Sequence, residues 1–593
     1  MTALATPPST TTPSRAKRRR GVGWKGLSSS DRFVYALALP LVAILLVYVV
    51  LPMFATLFSS LEDGGEAYEA FGAGGTAWTA LLLSVGISLA SVVLAGIVGS
   101  GLAVLLSRFD FPGRRVLRVV ALLPMALPPL IGALSFYYLY GASGIVPRFM
   151  ESVTGIMAST FSADGVAGVL LVHTMTMYPY FYLAVSAGLA GSDASLEEAA
   201  MNLGANRVTM WRQVLMPMLT PALVSGALLT FMVSMASFTA PQFYNVNTLT
   251  MRIVAAKTSG DYPLAAAQST VLSLVSIAFL LLMRWYQGRR STRSASKGTP
   301  QALKSVQGTL PRTLAAVGSV AVVAVLAAPV VTIILLAFTV DGAWTTQILP
   351  PEYTVANFVT IFSDPVSLRP LLVSSQMSGL AMLASILVGV LTAWVVARWK
   401  GRGAGWLDVM IMLPWALPGT VVGINIVTAF ASPTPFNLGQ VFVGSLWILP
   451  LAYFIRFVPL VFRNAAASLA QIDPSVEEAA QNLGAGPLRT LRLVTLPLMT
   501  RGVIAGALMA FVQGFGEYVA SVVVYPARFA PLSVEIYNRQ YANEIGSAFA
   551  YGALQMFAIL IVLLIADFLE NPRRRRSSTK AASLTEPPTR KVS

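Results

Sequence analysis

The chain has 593 residues, of which 55% are apolar and only 11% charged. Soluble globular proteins are about 25% charged, so the composition excludes a soluble enzyme and a disordered chain and indicates a polytopic membrane protein. With no cysteine and a single histidine, His173, disulfides, thiolate chemistry and multi-histidine metal cages are excluded, and no metal site is expected. The sequence contains no G-x-x-x-x-G-K-[S/T] loop, so any ATP hydrolysis belongs to another chain.

Crossing a bilayer takes about 20 mainly apolar residues. Such stretches fall near 33–59, 79–107, 116–141, 165–189, 221–243 and 263–287, then near 312–339, 369–397, 406–430, 441–462, 501–525 and 548–570. This predicts an all-α protein of twelve membrane helices. The first stretch follows a 32-residue polar head and lacks a small-residue cleavage site, so it reads as a span and not a removed signal. An even span count puts both termini on one side. If that side is the cytoplasm, 34 of the 41 basic residues are cytoplasmic, among them Arg18, Arg19, Arg20, Arg289, Arg290, Arg293 and Arg573 to Arg576. Six lie outside (Arg148, Arg252, Lys257, Arg369, Arg528 and Arg539), and Arg456 is left within a span. Cytoplasmic loops of membrane proteins carry the Lys/Arg excess. The distribution therefore predicts cytoplasmic termini in a plasma membrane. The net charge of +16 is thereby explained by anchoring to anionic lipid, without nucleic acid.

The expected organisation is a basic head (1–32), a first half (33–287), a linker rich in Ser, Thr, Gly and Lys (288–311), a second half (312–570) and a basic tail (571–593). The halves are copies. Residues 195–232 set against 475–512, a shift of 280, agree at 17 of 38 positions, opening SLEEAAMNLGA and SVEEAAQNLGA. At a shift of 290, LPMALP (123–128) matches LPWALP (413–418), and Arg108 matches Arg398. Six spans per half make the repeat parallel, which predicts a pseudo-two-fold axis along the membrane normal and a pathway between the halves.

The repeated segment lies between the fourth and fifth span of each half, hence in the predicted cytoplasm. Ser195 with Glu198, and Ser475 with Glu478, have capping-box spacing. Leu196, Ala199, Ala200 and Leu203 recur at helical period, as do Val476, Ala479, Ala480 and Leu483, giving each helix an apolar face. Gly204 and Gly484 end it. A helix of eight or nine residues falls short of the roughly 12–15 that persist alone in water. Packing must hold it, and its small apolar face suits a groove on a partner.

The pattern E-A-A, three residues, G, nine residues, then two apolar positions one residue apart and P resembles the signature loop of binding-protein-dependent ABC importer permeases. Its residues are Glu198, Ala199, Ala200, Gly204, Val214, Met216 and Pro217, and again Glu478, Ala479, Ala480, Gly484, Val494, Leu496 and Pro497. Met216 departs from the usual Leu. The resemblance spans nearly the whole chain apart from head, linker and tail. It implies a type I importer permease fold. It implies that these loops, with the neighbouring Glu197 and Glu477, couple to two copies of a cytoplasmic ABC ATPase, which would carry the ATP and Mg. It also implies an extracytoplasmic solute-binding protein, and no enzymatic activity in this chain. Fusion of two halves in one polypeptide most resembles the ferric-iron group. Thiamine, 2-aminoethylphosphonate and polyamine import are the alternatives. A secondary transporter would need several intramembrane acids, and the spans offer chiefly Glu517.

Candidate pathway residues follow from polarity within the spans. Glu517, replaced by Ser237 in the first half, is expected to face the pathway and assist a cationic solute, or else to pair with Arg456 or a hydroxyl. Arg456, counted from Arg463, lies about 10 Å from the inner boundary at 1.5 Å per residue, within reach of snorkelling, with Glu517 some two turns deeper. His173 reads as a hydrogen-bonded packing residue. Pro128 and Pro418 stand in equivalent Pro-interrupted helices, expected at the pathway or a hinge.

Overall fold

The computed structural model describes residues 29–72, 74–191, 194–290, 303–399, 401–435 and 439–570. Arg18, Arg19, Arg20, Arg293 and Arg573 to Arg576 lie outside them. Among the described residues, eleven helices are long and apolar enough to cross a membrane, and a broken pair, Gly403–Ala416 and Gly419–Phe430, bent by 112°, makes up to twelve if counted as one span. Spans 1, 2 and 4 are Arg32–Ser59, Thr76–Arg108 and Gly165–Ala190; spans 5 to 8 are Arg207–Met235, Tyr262–Met283, Thr309–Ala337 and Pro365–Arg398. Spans 10 to 12 are Ile448–Leu469, Pro487–Phe515 and Ile545–Ala566. Span 3 begins as Arg114–Val120, tightens at Leu123–Ala126 and resumes as Pro129–Tyr140. The expected linker is shorter at both ends. Helix continues to Arg290, Thr309 begins the next, and Lys304–Ser305 pairs in parallel with Phe109–Asp110 at the end of span 2.

The breaks in spans 3 and 9 have one cause written twice. Pro128 and Pro418 sit at φ −56°, ψ 136° and φ −56°, ψ 147°, outside the helical region, and the next residue starts a new helix. Proline supplies no N–H and its ring crowds the preceding turn; the residue before it is pushed extended, as Leu127 and Leu417 are. The 290-residue repeat is therefore visible in backbone angles as well as letters.

Spans 5 and 11 end at Met235 and Phe515, eight to ten residues before the hydropathy predicts, which corrects the expected boundaries at 243 and 525. Apolar runs continue past these points, but the chain folds back through Thr239–Phe243 and Leu249–Thr258 in one half, and Ser521–Val524 and Leu532–Tyr541 in the other. The short pieces inside the expected spans, Thr239–Phe243 and Ser521–Val524, follow the helices closely and carry enough Phe and Val to read as their continuation. Both are anchored by one repeated bond: the amide of Leu249 donates to Ser84 Oγ at 2.9 Å, and that of Leu532 to Ser374 Oγ at 2.7 Å.

Each first span crosses to the other half. Span 1 packs on spans 8 and 9 through three aromatic pairs, Phe33–Trp394, Tyr35–Trp399 and Tyr48–Phe430, at 5.8, 5.6 and 5.9 Å between centroids. Span 7 in turn packs on span 3, as well as on span 12. The two halves interlock.

Within each half, spans 2, 4 and 5 meet on small residues, as membrane helices do when backbones approach closely. A Cβ on Gly99 would collide with the Tyr178 carbonyl and Phe181 Cβ; one on its counterpart Gly389 would lie 3.0 Å from the Phe462 amide nitrogen and 3.2 Å from Val461 Cβ. From the other side, a Cβ on Gly226 would lie 3.2 Å from Phe181 Cα and one on Gly506 3.0 Å from Val461 Cα. Residues 181 and 461, also 280 apart, are thus held between two glycines in both halves. Gly99→Ala and Gly389→Ala are each expected to lower thermal stability in detergent, by about 1–3 kcal/mol for overpacking. Gly101→Ala, with nothing within 4 Å of the added atom, should match or exceed the parent, since alanine favours helix by about 1 kcal/mol. Equal midpoints for all three would refute the glycine contacts.

Candidate coupling loops and polar centres

The duplicated loop helices are Ala194–Asn202 and Pro474–Asn482. The expected capping box is corrected. Asp473 is the N-cap of the second helix: it accepts from the Ser475 amide at 2.9 Å, and Ser475 lies one residue inside the helix. Bonds from the Ser475 amide and side chain hold the Asp473 carboxyl below the usual carboxylate range, so the cap is charged at neutral pH and is lost as pH falls through that lowered value. Ser195 likewise lies inside its helix, and the equivalent cap position, 193, is outside the described residues. Capping by Asp is as strong as by Ser, so the motif spacing alone could not choose between them.

Both helices stop in the same way. Gly204 and Gly484 take φ +85°, a left-handed value natural to glycine. The amide of Ala205 reaches the Ala200 carbonyl at 3.0 Å, and that of Ala485 the Ala480 carbonyl at 3.0 Å, the 6→1 bond of a Schellman end. Spans 5 and 11 each open with one helical turn, Arg207–Met210 and Pro487–Thr490, and then widen over Trp211–Leu215 and Leu491–Thr495. Pro217 and Pro497 follow immediately. Each lacks an N–H and crowds the carbonyl four residues back, and a π-turn, with the amides of Met216 and Leu496 bonding five residues back, accommodates the ring.

These helices face inward on their acidic side. Arg108 at the end of span 2 holds Glu197 with two bonds, of 2.6 and 2.5 Å. Arg398 at the end of span 8 holds Glu477 with bonds of 2.9 and 2.7 Å. Glu477 also accepts from Thr495 Oγ1 at 2.8 Å; the matching residue of the first half, Leu215, has no hydroxyl to offer. Glu197 and Glu477 are buried, while Leu203 and Leu483 are 88% and 90% exposed. Leu196 and Val476 are exposed as well, at 48% and 40%. Glu198, Glu478, Ala199 and Ala479 are also exposed, and Ala200 and Ala480 half-buried.

Four of the candidate pathway residues, His173 with Ser237 and Arg456 with Glu517, gather in two polar centres at equivalent places, and Pro128 joins neither. In the first half, His173 Nδ1 bonds Ser91 and Ser234 hydroxyls at 3.0 and 3.1 Å, and Nε2 bonds Ser237 at 2.9 Å. The ring is buried and bonded at both nitrogens, as expected of a packing histidine. In the second half, Arg456 Nη1 meets Glu517 Oε1 at 2.5 Å. The same oxygen accepts from the Ala520 amide at 2.7 Å, and Tyr453 meets Ser521 at 2.8 Å. A shift of 280 carries His173 onto Tyr453 and Ser237 onto Glu517. Arg456 does not snorkel to the boundary near Arg463. Span 10 runs on to Leu469, so Arg456 lies about 20 Å from that end at 1.5 Å per residue. Glu517 is likewise not two turns deeper in a helix; it follows the helix end at Phe515, where the chain turns back to Arg456. Pro418 adjoins this centre, since a Cβ on the next residue, Gly419, would strike the Arg456 guanidinium. Among the described residues no group of three or more His, Asp or Glu is placed to hold a metal ion.

The sequence pattern described as "binding-protein-dependent transport system inner membrane component" matches twice, at residues 95–293 and 385–576. The chain belongs to this permease family. Its similarity to curated relatives runs end to end. A probable ABC transporter permease of Sinorhizobium fredii is 28% identical over 92% of this chain and 98% of its own. A ferric transport system permease of Actinobacillus pleuropneumoniae is 24% identical over 92% of this chain and 80% of its own. A putative 2-aminoethylphosphonate transport system permease of Salmonella paratyphi A is 31% identical over 38% of this chain and 83% of its own. A solved bacterial ABC transporter involved in alginate import aligns with 44% of this chain and 96% of its own, at 18% identity and a TM-score of 0.34. The protein is thus a multi-pass inner-membrane ABC importer permease with a duplicated permease domain, of a family that works with ATPase and binding-protein subunits.

Sequence reading of this permease found both arginines and both loops but not their bonds, because a shift of 290 aligns the arginines and a shift of 280 the loops. The signal was there: paired residues of opposite charge that recur in both halves. Both glutamates are buried, Arg108 is nearly so and Arg398 is about a quarter exposed; removing one partner of a fully buried pair typically costs about 3–5 kcal/mol through the charge left behind, less where solvent reaches it, whereas removing both costs less. Arg108→Ala is therefore expected to destabilise the permease more than the double change Arg108→Ala with Glu197→Ala, and likewise for Arg398 and Glu477. Thermal unfolding in detergent reads this out; additive losses would show that the pairs do not interact.

Proposed function

We propose that the chain is the translocation subunit of an ATP-driven importer for ferric iron, driven by two identical ATPase subunits that each grip one loop helix. The observation that carries the coupling is the inverted face of those helices. Each buries a glutamate and exposes a leucine about 90% in the isolated chain. A solvated surface helix does the reverse. The apolar face is what a partner groove covers, and two near-identical copies fit two copies of one partner. The Lys/Arg distribution supports loops and termini in the cytoplasm, and a solute-binding protein delivering from the other side. Nucleotide-driven closure of the ATPases would draw the loop helices together and rock the halves about the axis, shifting the pathway between inward- and outward-facing states. Relatives named as ferric transport permeases, similar along 82–92% of the chain, support iron over 2-aminoethylphosphonate, whose relatives cover 38%. Iron is here the cargo.

Burying one leucine is worth about 1.5–3 kcal/mol, so Leu203→Asp together with Leu483→Asp should weaken ATPase binding at least about a hundredfold, at 1.4 kcal/mol per tenfold. Pull-down of the ATPase and ATP-dependent uptake of radiolabelled ferric iron in proteoliposomes with the binding protein measure this. Undiminished uptake by that variant would refute the coupling role. A phosphonate or thiamine found by mass spectrometry in the purified binding protein would replace iron as the cargo.

A further inference from the structure

Residues related by a two-fold axis touch each other only where that axis passes. Phe238 and Tyr518 are 280 apart, and their rings meet with centroids 5.9 Å apart. They mark the pseudo-axis, which is where a pathway between two halves must run. Both are 1% exposed, so the route is shut at that level. The closure is sealed by a bond across the halves: Tyr518 donates its hydroxyl proton to Gln242 Oε1 at 2.8 Å. Phe238 has no hydroxyl to return it. The ring pair sits just beyond the ends of spans 5 and 11, at the end of the bundle away from the loop helices.

Tyr518 is positioned by its neighbour. Glu517 Oε1 takes both the Arg456 guanidinium and the Ala520 amide, and Ser521 Oγ donates to the Glu517 carbonyl at 2.8 Å. The turn carrying Tyr518 is thereby bolted to span 10. Span 10 ends at Leu469, four residues before the Asp473 cap of the second loop helix. The Glu517 side chain is 7% exposed and already neutralised, and a bare cation would have to displace a guanidinium to reach it.

We propose that Phe238 and Tyr518 form the plug closing the pathway, latched by Gln242, and that the Arg456–Glu517 pair is the positioning brace joining this plug to span 10 and so to the second loop helix. Glu517 then acts on the gate and does not bind the solute. The inference rests on the permease reading.

The chain has no cysteine, so a pair introduced by Phe238→Cys and Tyr518→Cys reports on the plug alone. The full complex with its ATPase and binding protein, in proteoliposomes, is the system to use. Oxidation is expected to cross-link the doubly substituted chain without nucleotide and to abolish uptake, with the yield falling severalfold when ATP and vanadate trap the closed ATPases. Equal cross-linking in both states would overturn the plug. Tyr518→Phe and Glu517→Gln are each expected to raise ATP hydrolysis without binding protein severalfold, with the solute KM unchanged and Arg456→Lys near the parent. Glu517→Gln shifting the solute KM while hydrolysis stays tightly dependent on binding protein would make Glu517 a solute ligand and overturn the brace. Failure of the parent complex to hydrolyse ATP at all would instead remove the permease reading, so the two failures are distinguishable.

Discussion

The loop helices depend on one interaction made twice, an arginine at the end of the second span of each half holding the first glutamate of the loop. Charge-assisted bidentate bonds between guanidinium and carboxylate fix geometry as well as energy. Here the geometry matters most. A nine-residue helix with an apolar stripe would ordinarily turn that stripe onto its own protein. Pinning Glu197 and Glu477 inward rolls each helix the other way and leaves Leu203 and Leu483 pointing outward. The cost of burying a carboxylate is offset by the arginine, and two-point bonding fixes the orientation of the loop helix. The same bond ties the helix to spans 2 and 8, so a push on the loop is a push on the membrane bundle.

Duplication preserved backbone and changed chemistry. The broken spans at Pro128 and Pro418, the glycines flanking residues 181 and 461, and the serine hydroxyls anchoring the re-entrant helices recur at matched positions. These are features a helix crossing cannot give up, because a side chain at Gly99 or an unpaired amide at Leu249 has nowhere to go. The polar centres had freedom. One half fills its centre with an imidazole among three serines, the other with an ion pair and a tyrosine–serine bond. Each is internally satisfied, as buried polar groups must be, so either solution supports the turn that follows it.

What the sequence revealed follows the same division. Repeat, loops, Gly stops and Pro breaks were legible because each rests on a local rule carried by particular letters. The true ends of spans 5 and 11 were not, since Ser521 to Val524 is as apolar as the helix before it, Phe238 and Phe243 mask the polar residues between them, and only tertiary bonds turn the chain back. The depth of Arg456 is hidden for a related reason: Arg463 marks a charge and not a boundary, and span 10 continues past it for six residues. The cap at Asp473 was missed because an Asx cap and a serine box begin the helix one or two residues apart, a difference that spacing cannot register. Arg108 and Glu197 lie 89 residues apart, and only the folded chain brings them into contact.

Symmetry also constrains how motion reaches the centre. Two loops pinned alike to equivalent spans deliver equivalent displacements, so an approximately two-fold motion is the natural response. On the axis, however, a residue faces its own counterpart, and two tyrosines there would set two hydroxyls against each other. Pairing Phe238 with Tyr518 avoids that conflict and leaves the single hydroxyl free to bond Gln242 of the opposite half. The Arg456–Glu517 pair, which has no counterpart in the first half, stands beside the same residue. Departure from symmetry at this contact therefore removes a conflict of polar atoms that perfect repetition would create.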